Sequence, residues 1–407
     1  MKPNIRAEPG PVCRLVLILT ALGLVATSAQ ASDSLRVSGY FQGGRVYISA
    51  RLPEPIGQQN FTEYRLQNRL NLNWQATSNL SFNWQMRTRL FAGDLVSEFP
   101  AYADNIDSDD GLVNLSWRVM EGDDWVLHHI PDRLYVEWRF DDWDVRVGRQ
   151  RVNWGVNMIT NPNDIFNIYS FYEFDYPERP GADAIRIQRH LDFASRIELA
   201  VSPARERRES IAAALYGFDF RGYDMQLIGG YYRDRFVAGA GWAGNMGGAG
   251  FKGETMFYAD LSSNPGSNLN SDPNEDHQGR QTNFIAALSL DYMFENSLFA
   301  VAEILYNRAG GRDDFTLLGE QLSPDNPSFS TYQISSTFSY PIHPLLDGAM
   351  AVIWYPDESA AFFSPSLTWS VTQDLDFRIL GQFIASSGDS VFSDAGNLLT
   401  ASLTYNF

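Results

Sequence analysis

Thiols are almost missing from this 407-residue chain, whose one cysteine is Cys13. A single thiol makes no intrachain disulfide and no thiolate zinc site, so stability has to come from elsewhere. Lysine is nearly as scarce: Lys2 and Lys252 are the only two, and every other cation is arginine. The planar, permanently charged guanidinium fork suits confined ion pairs and ligand contacts better than open surface. The five histidines, His128, His129, His190, His277 and His343, have no metal-type spacing with carboxylates. His128 and His129 are adjacent, so on a strand they point apart and cannot share a ligand. No serine sits in a G-x-S-x-G setting. The expectation is therefore a protein that is not an enzyme, with no catalytic residue, metal or cofactor, and its net charge of −18 argues against nucleic acid.

Long apolar runs are also lacking, with one exception at the start. Lys2, Arg6 and Arg14 precede LVLILTALGLVA (15–26), and Ala29-Gln30-Ala31 follows as an A-x-A site. Residues 1–31 read as a secretory signal peptide, too short in its apolar part to span a membrane. Removing it takes away Glu8 and three cations. The remaining 376 residues then carry 48 acidic and 28 basic side chains, a net of −20.

What is present is strict alternation. In EYRLQNRLNLNWQ, Glu63, Arg65, Gln67, Arg69, Asn71, Asn73 and Gln75 share one face. Tyr64, Leu66, Leu70, Leu72 and Trp74 share the other, with Asn68 the single intruder. NLSFNWQMRTRL repeats the pattern, with Arg87 and Arg89 on the polar side. A period of two means strands. These strands run to ten residues or more, where about five or six is usual in globular proteins. A tilted strand of about 9–11 residues crosses a bilayer, apolar outward and polar inward, with aromatic girdles. Backbone groups in lipid must pair internally, so such a sheet has to close.

Short turns fall at Thr77-Ser78-Asn79, Asp141-Asp142, Leu191–Phe193, Phe220–Gly222, Asn245–Gly247, Glu295-Asn296, Pro341–Pro344 and Thr372–Asp374. Nine further connections are mostly longer. The expected fold is all-β: a closed antiparallel transmembrane β-barrel over residues 32–407, of about 18 strands. Sixteen remain open because the loop near Arg233–Arg235 is weakly marked. The long external loops are 93–129, 155–182, 262–280 and 309–329. Alternation begins near Leu35 and runs to Phe407, which leaves no stretch for a plug domain.

The end of the chain, LLTASLTYNF, places Leu399, Ala401, Leu403, Tyr405 and Phe407 on one face. It resembles the closing strand of Gram-negative outer-membrane barrels, whose terminal aromatic is read by the barrel assembly machinery. That resemblance implies the cell outer membrane as location, with its lipid and lipopolysaccharide as surroundings. The pattern fits a monomer or a homo-oligomer equally.

The densest chemistry lies in GRQRVNWGVNMITNPNDIFN (148–167). If Trp143, Val145 and Val147 face lipid, unbroken alternation puts Arg149 and Arg151 there too, at about 2–4 kcal/mol each near the midplane. A bulge at Gly148 would flip the phase and send both inward; the alternative is that this end stands above the bilayer. The stretch resembles a signature, GRQRxxWG followed by NPxDxFN, of porin-like families that include alginate-export-like barrels. Here it is Gly148-Arg149-Gln150-Arg151, Trp154-Gly155 and Asn161-Pro162-Asn163-Asp164-Ile165-Phe166-Asn167. The resemblance implies a barrel with a specialised loop, and no active site is carried over. The following connection holds six aromatic residues together with Asp164, Glu173, Asp175 and Glu178, a composition that predicts folding into the mouth or lumen.

The expected lumen set is thus Arg65, Arg69, Arg87, Arg89, Arg139, Arg146, Arg149, Arg151, Arg186 and Arg196, with Asp164, Glu173 and Asp175 from the loop. A basic wall facing the acidic loop 93–129 would set up a transverse field, and charged rings of this kind govern selectivity. The structural alternative is that these arginines pair with acids and fill space. The functional expectation is a porin-like channel for small hydrophilic solutes, anionic or sugar-like; the alternative is a non-conducting barrel that binds or braces. GAGWAG (239–244) matches the G-x-G-x-x-G fingerprint, but no helix pattern follows it, so its glycines read as space for a neighbouring ring or inserted loop.

Overall fold

The computed structural model describes residues 34–52, 57–109, 111–167, 178, 180–261, 282–310, 322–388, 390–393 and 395–407. The expected segment 1–31, the loop 262–280, and Glu173 and Asp175 lie outside them. Eighteen strands form a closed antiparallel ring. They are β1 (Leu35–Leu52), β2 (Gly57–Gln75), β3 (Leu80–Gly93), β5 (Trp125–Phe140), β6 (Trp143–Gln150), β7 (Ala182–His190), β8 (Arg196–Ser202), β9 (Ile211–Phe220), β10 (Tyr223–Tyr232), β11 (Arg235–Met246), β12 (Ala249–Asp260), β13 (Asn283–Met293), β14 (Phe299–Asn307), β15 (Tyr332–His343), β16 (Leu346–Tyr355), β17 (Ala360–Ser370), β18 (Leu375–Ser386) and β19 (Asn397–Asn406). Each pairs with its chain neighbours, and β1 pairs with β19 to close the sheet. A nineteenth strand, β4 (Trp117–Glu121), belongs to the loop between β3 and β5 and pairs only with the upper part of β5.

All eight short turns lie at one end, each within a residue or so of its expected place. The weakly marked connection is a two-residue hairpin, Arg233-Asp234, between Tyr232 and Arg235. Both residues carry positive φ, 46° and 67°, which matches the twist of the flanking strands without glycine. That hairpin fixes the count at eighteen.

Alternation sorts the side chains as a barrel requires. Tyr64, Leu66, Trp74, Trp84, Leu134, Val147 and Ile185 stand exposed on the outside. The inside is not uniformly polar. Three apolar clusters line its loop-end half. One joins Val152, Trp154, Ile165 and Phe166 to the inner faces of β7–β14. A second packs two short helices, Asp94–Glu98 and Tyr102–Ile106, against β1–β3 and β18–β19. The third seats Phe329 and Phe392 against β16 and β17. The loops therefore fold inward because the wall offers apolar inner faces that only they can cover.

One expected feature is displaced. The pairing of β6 with β5 and with β7 runs through Gly148 without a shift, Leu134 opposite Arg149 and Arg149 opposite Asp183. No bulge flips the phase there, and Arg149 keeps the outward parity of Val147. Gly148 does carry φ +120°, where a Cβ would meet the Leu134 carbonyl oxygen at 2.3 Å; the residue type is required, but for close backbone approach. The bulge lies on the neighbouring strand: Gln85 faces Arg133 and Met86 faces Pro131, leaving Asp132 as the extra residue.

Candidate functional site

The inner faces of β2 and β3 stack cross-strand pairs that can be read from the short-turn end upward. They are Asn73 with Asn83, Asn71 with Gln85, Arg69 with Arg87, Gln67 with Arg89, and Arg65 with Phe91. Period-two alternation puts all ten on the lumen side. At the short-turn end they border a polar cavity of about 430 Å³ whose lining includes Arg36, Asn71, Asn73, Gln85, Glu137 and Arg139. Higher up, the guanidiniums of Arg65 and Arg89 lie 5.5 and 5.1 Å from the Phe91 ring centroid.

Like charges this close need acids between them, and the strands supply them. Arg69 is almost fully buried and donates to Asp132 through Nη1 at 2.7 Å and Nη2 at 3.3 Å, with Glu178 3.5 Å from its Nε. The Asp132 bulge is what brings that carboxylate inside. Arg65 donates to Glu63, which also accepts the Tyr102 hydroxyl. Arg89 bonds His128 Nδ1 at 3.1 Å. Arg87 is buried beside Arg69.

A second group crosses β5–β8. Glu137 accepts from Arg139 Nη2 at 2.6 Å and Arg146 Nε at 2.7 Å. Arg146 faces Arg186 in register, and Arg186 donates to Glu198 at 2.7 and 2.8 Å. The result is an acid–base–base–acid row around the wall. Arg196 shares the inward parity of Glu198, beside Gly217. The expected arginines of β2, β3 and β5–β8 thus come together on one wall. Within it, the ion pairing anticipated as the structural alternative is extensive.

Two members of the expected set sit elsewhere. Arg149 is not in the lumen. It is sealed at the rim, donating from Nε to Asp183 at 2.8 Å, from Nη1 to Asp109 at 2.7 Å and from Nη2 to the Val113 carbonyl at 2.7 Å. Burial alone raises the Asp109 carboxyl, but Arg149 and the N–H groups of Leu115 and Gly111 outweigh it and hold it below the ordinary 3.8. Arg151 begins the inserted loop, with Nη2 4.0 Å from Asp164 Oδ2. The acidic loop 93–129 does not face the basic wall as a free array either. Asp104, Asp107 and Glu121 meet Arg118, and Asp107 accepts from Ser116 at 2.6 Å.

Residues 152–167 cross the lumen and are clamped by the opposite wall. Glu254 on β12 accepts the backbone N–H groups of Val156, Asn157 and Asn163, the last two at 2.7 and 2.8 Å. Glu303 on β14 accepts those of Ile159 and Thr160 at 3.2 and 2.8 Å. Trp154 Nε1 donates to Glu198 at 2.5 Å, and Gln226 donates to the Trp154 carbonyl at 2.6 Å. Gly241, inside GAGWAG and in strand throughout, leaves the gap that Asn163 and Gln226 occupy. Neither Glu254 nor Glu303 was singled out from the sequence. The available signal was an isolated carboxylate inside an apolar inner face, Glu254 two residues before Met256 and four before Tyr258.

His128, Ser116 and Asp107 invite comparison with a hydrolytic triad, and the geometry rejects it. Ser116 Oγ bonds both His128 Nε2, at 2.7 Å, and Asp107 Oδ1, while Arg89 occupies Nδ1. A base needs its acid on the far nitrogen.

No family model matches the sequence, and no curated protein matches it. Solved structures do. OccAB1 of Acinetobacter baumannii aligns with a TM-score of 0.56 at 11% identity, covering 94% of this chain and 99% of that one. OccK11 (OpdR) of Pseudomonas aeruginosa gives 0.56 at 11%, covering 93% and 98%. OccK8 (OprE) of the same organism gives 0.52 at 10%, covering 91% and 98%. At such identities the likeness is one of fold, and it extends over nearly the whole of both chains.

Proposed function

We propose that this chain is an outer-membrane channel through which small hydrophilic solutes diffuse, with preference for anionic or polyhydroxyl ones. The observation that carries the reading is a guanidinium-rich lane on the inner face of β2 and β3, partly compensated by acids, with Arg69 and Arg87 buried in it and Arg65 and Arg89 flanking Phe91 above them. It stands above the polar cavity at the short-turn end, in a lumen that also holds the loop clamped by Glu254 and Glu303. Guanidiniums in excess of the carboxylates they meet lower the barrier for anions and raise it for cations, and the aromatic rings beside them suit sugar faces. The apolar outside supports a membrane location. The terminal strand ending in Phe407 supports insertion by the assembly machinery, into a bilayer whose outer leaflet is lipopolysaccharide.

The test is planar-bilayer conductance of the purified protein under a salt gradient. Ohmic steps with an anion-shifted reversal potential are expected, and Arg87→Glu with Arg89→Glu should move that potential toward cations. Unchanged reversal potentials would remove the lane from the mechanism.

A second reading has its own support. Three apolar clusters pack the loop-end half of the lumen, as a bracing or binding barrel would have it. That reading expects no conductance steps at any voltage.

A further inference from the structure

The barrel wall is uneven. β1, β2, β3 and β5 have 18, 19, 14 and 16 residues, but β6 has 8, β7 has 9 and β8 has 7. Eight residues at about 3.3 Å each, tilted about 40°, rise roughly 20 Å, against an apolar band of about 25 Å. In this sector the strands are too short to present a full lipid-facing surface. This is also where polar groups occupy outward positions. Arg149 and Asp183 continue the parity of Val147 and Ile185. His129 faces Thr88 outside the wall, its Nδ1 2.9 Å from Thr88 Oγ1.

One segment covers both defects. Asp109 and the Val113 carbonyl seal Arg149, and the Val113 N–H donates to Asp183. Four residues on, Trp117 of β4 pairs with His129 and stacks on its ring, centroids 5.7 Å apart at 16°. The underside of 111–121 is thus polar or stacked. Its other side carries Leu112, Val113, Trp117, Val119 and Met120, each 41–55% exposed. Five large apolar side chains within nine residues have no reason to face water.

We propose that residues 111–121 form a flap seated against the outer leaflet. It completes the lipid-facing band over β5–β7 and shields Arg149, Asp183 and His129 from hydrocarbon. Its partner is lipid acyl chain, because the Arg149 and Asp183 it covers stand on the outward face next to the exposed apolar residues Leu134, Val147 and Ile185. Trp117 supplies an interfacial aromatic to a sector whose short strands β6–β8 have none at their loop ends. The inference rests on the membrane reading above.

With Cys13 replaced by Ser, single thiols can be introduced for a polarity-sensitive fluorophore. Val113→Cys and Val119→Cys report the flap, Leu134→Cys the wall, and Arg208→Cys a loop in water. Each labelled protein goes into phosphatidylcholine vesicles with brominated acyl chains, and folding is verified by heat-shifted gel migration. Labels at 113 and 119 should be quenched by bromine about as strongly as at 134 and should lose most of the iodide quenching seen at 208. If Val119→Cys does not fold, Val113→Cys carries the same readout. Flap labels that follow 208 while 134 is quenched overturn the flap alone. Failure of 134 to be quenched overturns the membrane reading instead. Efficient disulfide dimers through Val119→Cys without bromine quenching would assign the patch to a second copy and also overturn the proposal.

Discussion

Glu254 Oε1 accepts the backbone N–H of Asn157 at 2.7 Å, a bond between residues 97 positions apart. It makes a fully buried carboxylate the fastening point of a loop that no strand contains. Removing one partner of a buried hydrogen bond costs about 1–3 kcal/mol for each group left stranded. Glu254→Ala strands three N–H groups and should release the loop. Proteolysis within residues 155–182 should become rapid in the folded barrel, and channel current should become larger and noisier. Glu254→Gln keeps one acceptor and should fall between.

Arg69 and Asp132 form the most deeply buried ion pair of the basic wall, at 2% and 3% exposure. Breaking such a pair from one side costs about 3–5 kcal/mol, whereas replacing both partners with apolar groups is often close to neutral. Arg69→Met alone should lower the urea midpoint of refolding in vesicles strongly. Adding Asp132→Leu should restore most of the loss. Two single-variant losses that simply add would contradict the pairing.

The rim should respond to acid. The Asp109 carboxyl is held below its ordinary 3.8, so its folded form binds a proton less readily than its unfolded form. The stability it contributes is complete above pH about 4 and is lost as pH falls through the lower folded value. Hydrogen-exchange protection at Gly111 and Leu115, measured against the intrinsic rate at each pH, should therefore fall as the medium is taken below pH 4. Asp109→Asn should show lower protection at neutral pH and little further change in protection on acidification.

A Cβ at position 241 would sit 2.9 Å from both Asn163 Nδ2 and Gln226 Nε2. Gly241→Val on this inner face should push the inserted loop off β11, at a cost of about 1–3 kcal/mol for overpacking. Gly222→Ala is the fitting control for positional specificity: open space surrounds that turn, and its penalty comes from positive φ alone. Only the first should change conductance.

Much of the wall was legible because period-two alternation is a local property. Arg65, Arg69, Arg87 and Arg89 could be placed inside from their immediate neighbours. The phase change was misplaced for a definite reason. Gly148 is an obvious irregularity, but a glycine can serve close approach without adding a residue to the strand. The dipeptide Pro131-Asp132 was the better signal, since proline cannot donate to the ladder and favours bulges. The inward course of residues 152–167 was readable from Trp154, Ile165 and Phe166; the other five aromatics of the loop, Tyr169 to Tyr176, lie outside the described residues. Its anchors were not, because Glu254 and Glu303 act on backbone about 90–145 positions earlier, and no local pattern records that. β4 escaped notice because five residues, four of them exposed, carry too little periodicity.

Ten residue pairs, from Tyr40 with Asn406 to Ser49 with Asn397, zip β1 to β19, and Gln42 donates to Thr404 across 362 positions. Contacts so distant along the chain form late, since loop closure must precede any reward. Until they form, two raw edges stand open, which hydrocarbon does not tolerate. A half-wound sheet is consequently no resting state, and the final seam governs whether everything before it survives. By the same logic the ring has no privileged opening. A permuted gene cut at Asp141-Asp142, with Ser34 and Phe407 bridged, would ask every strand to find the neighbours it already has.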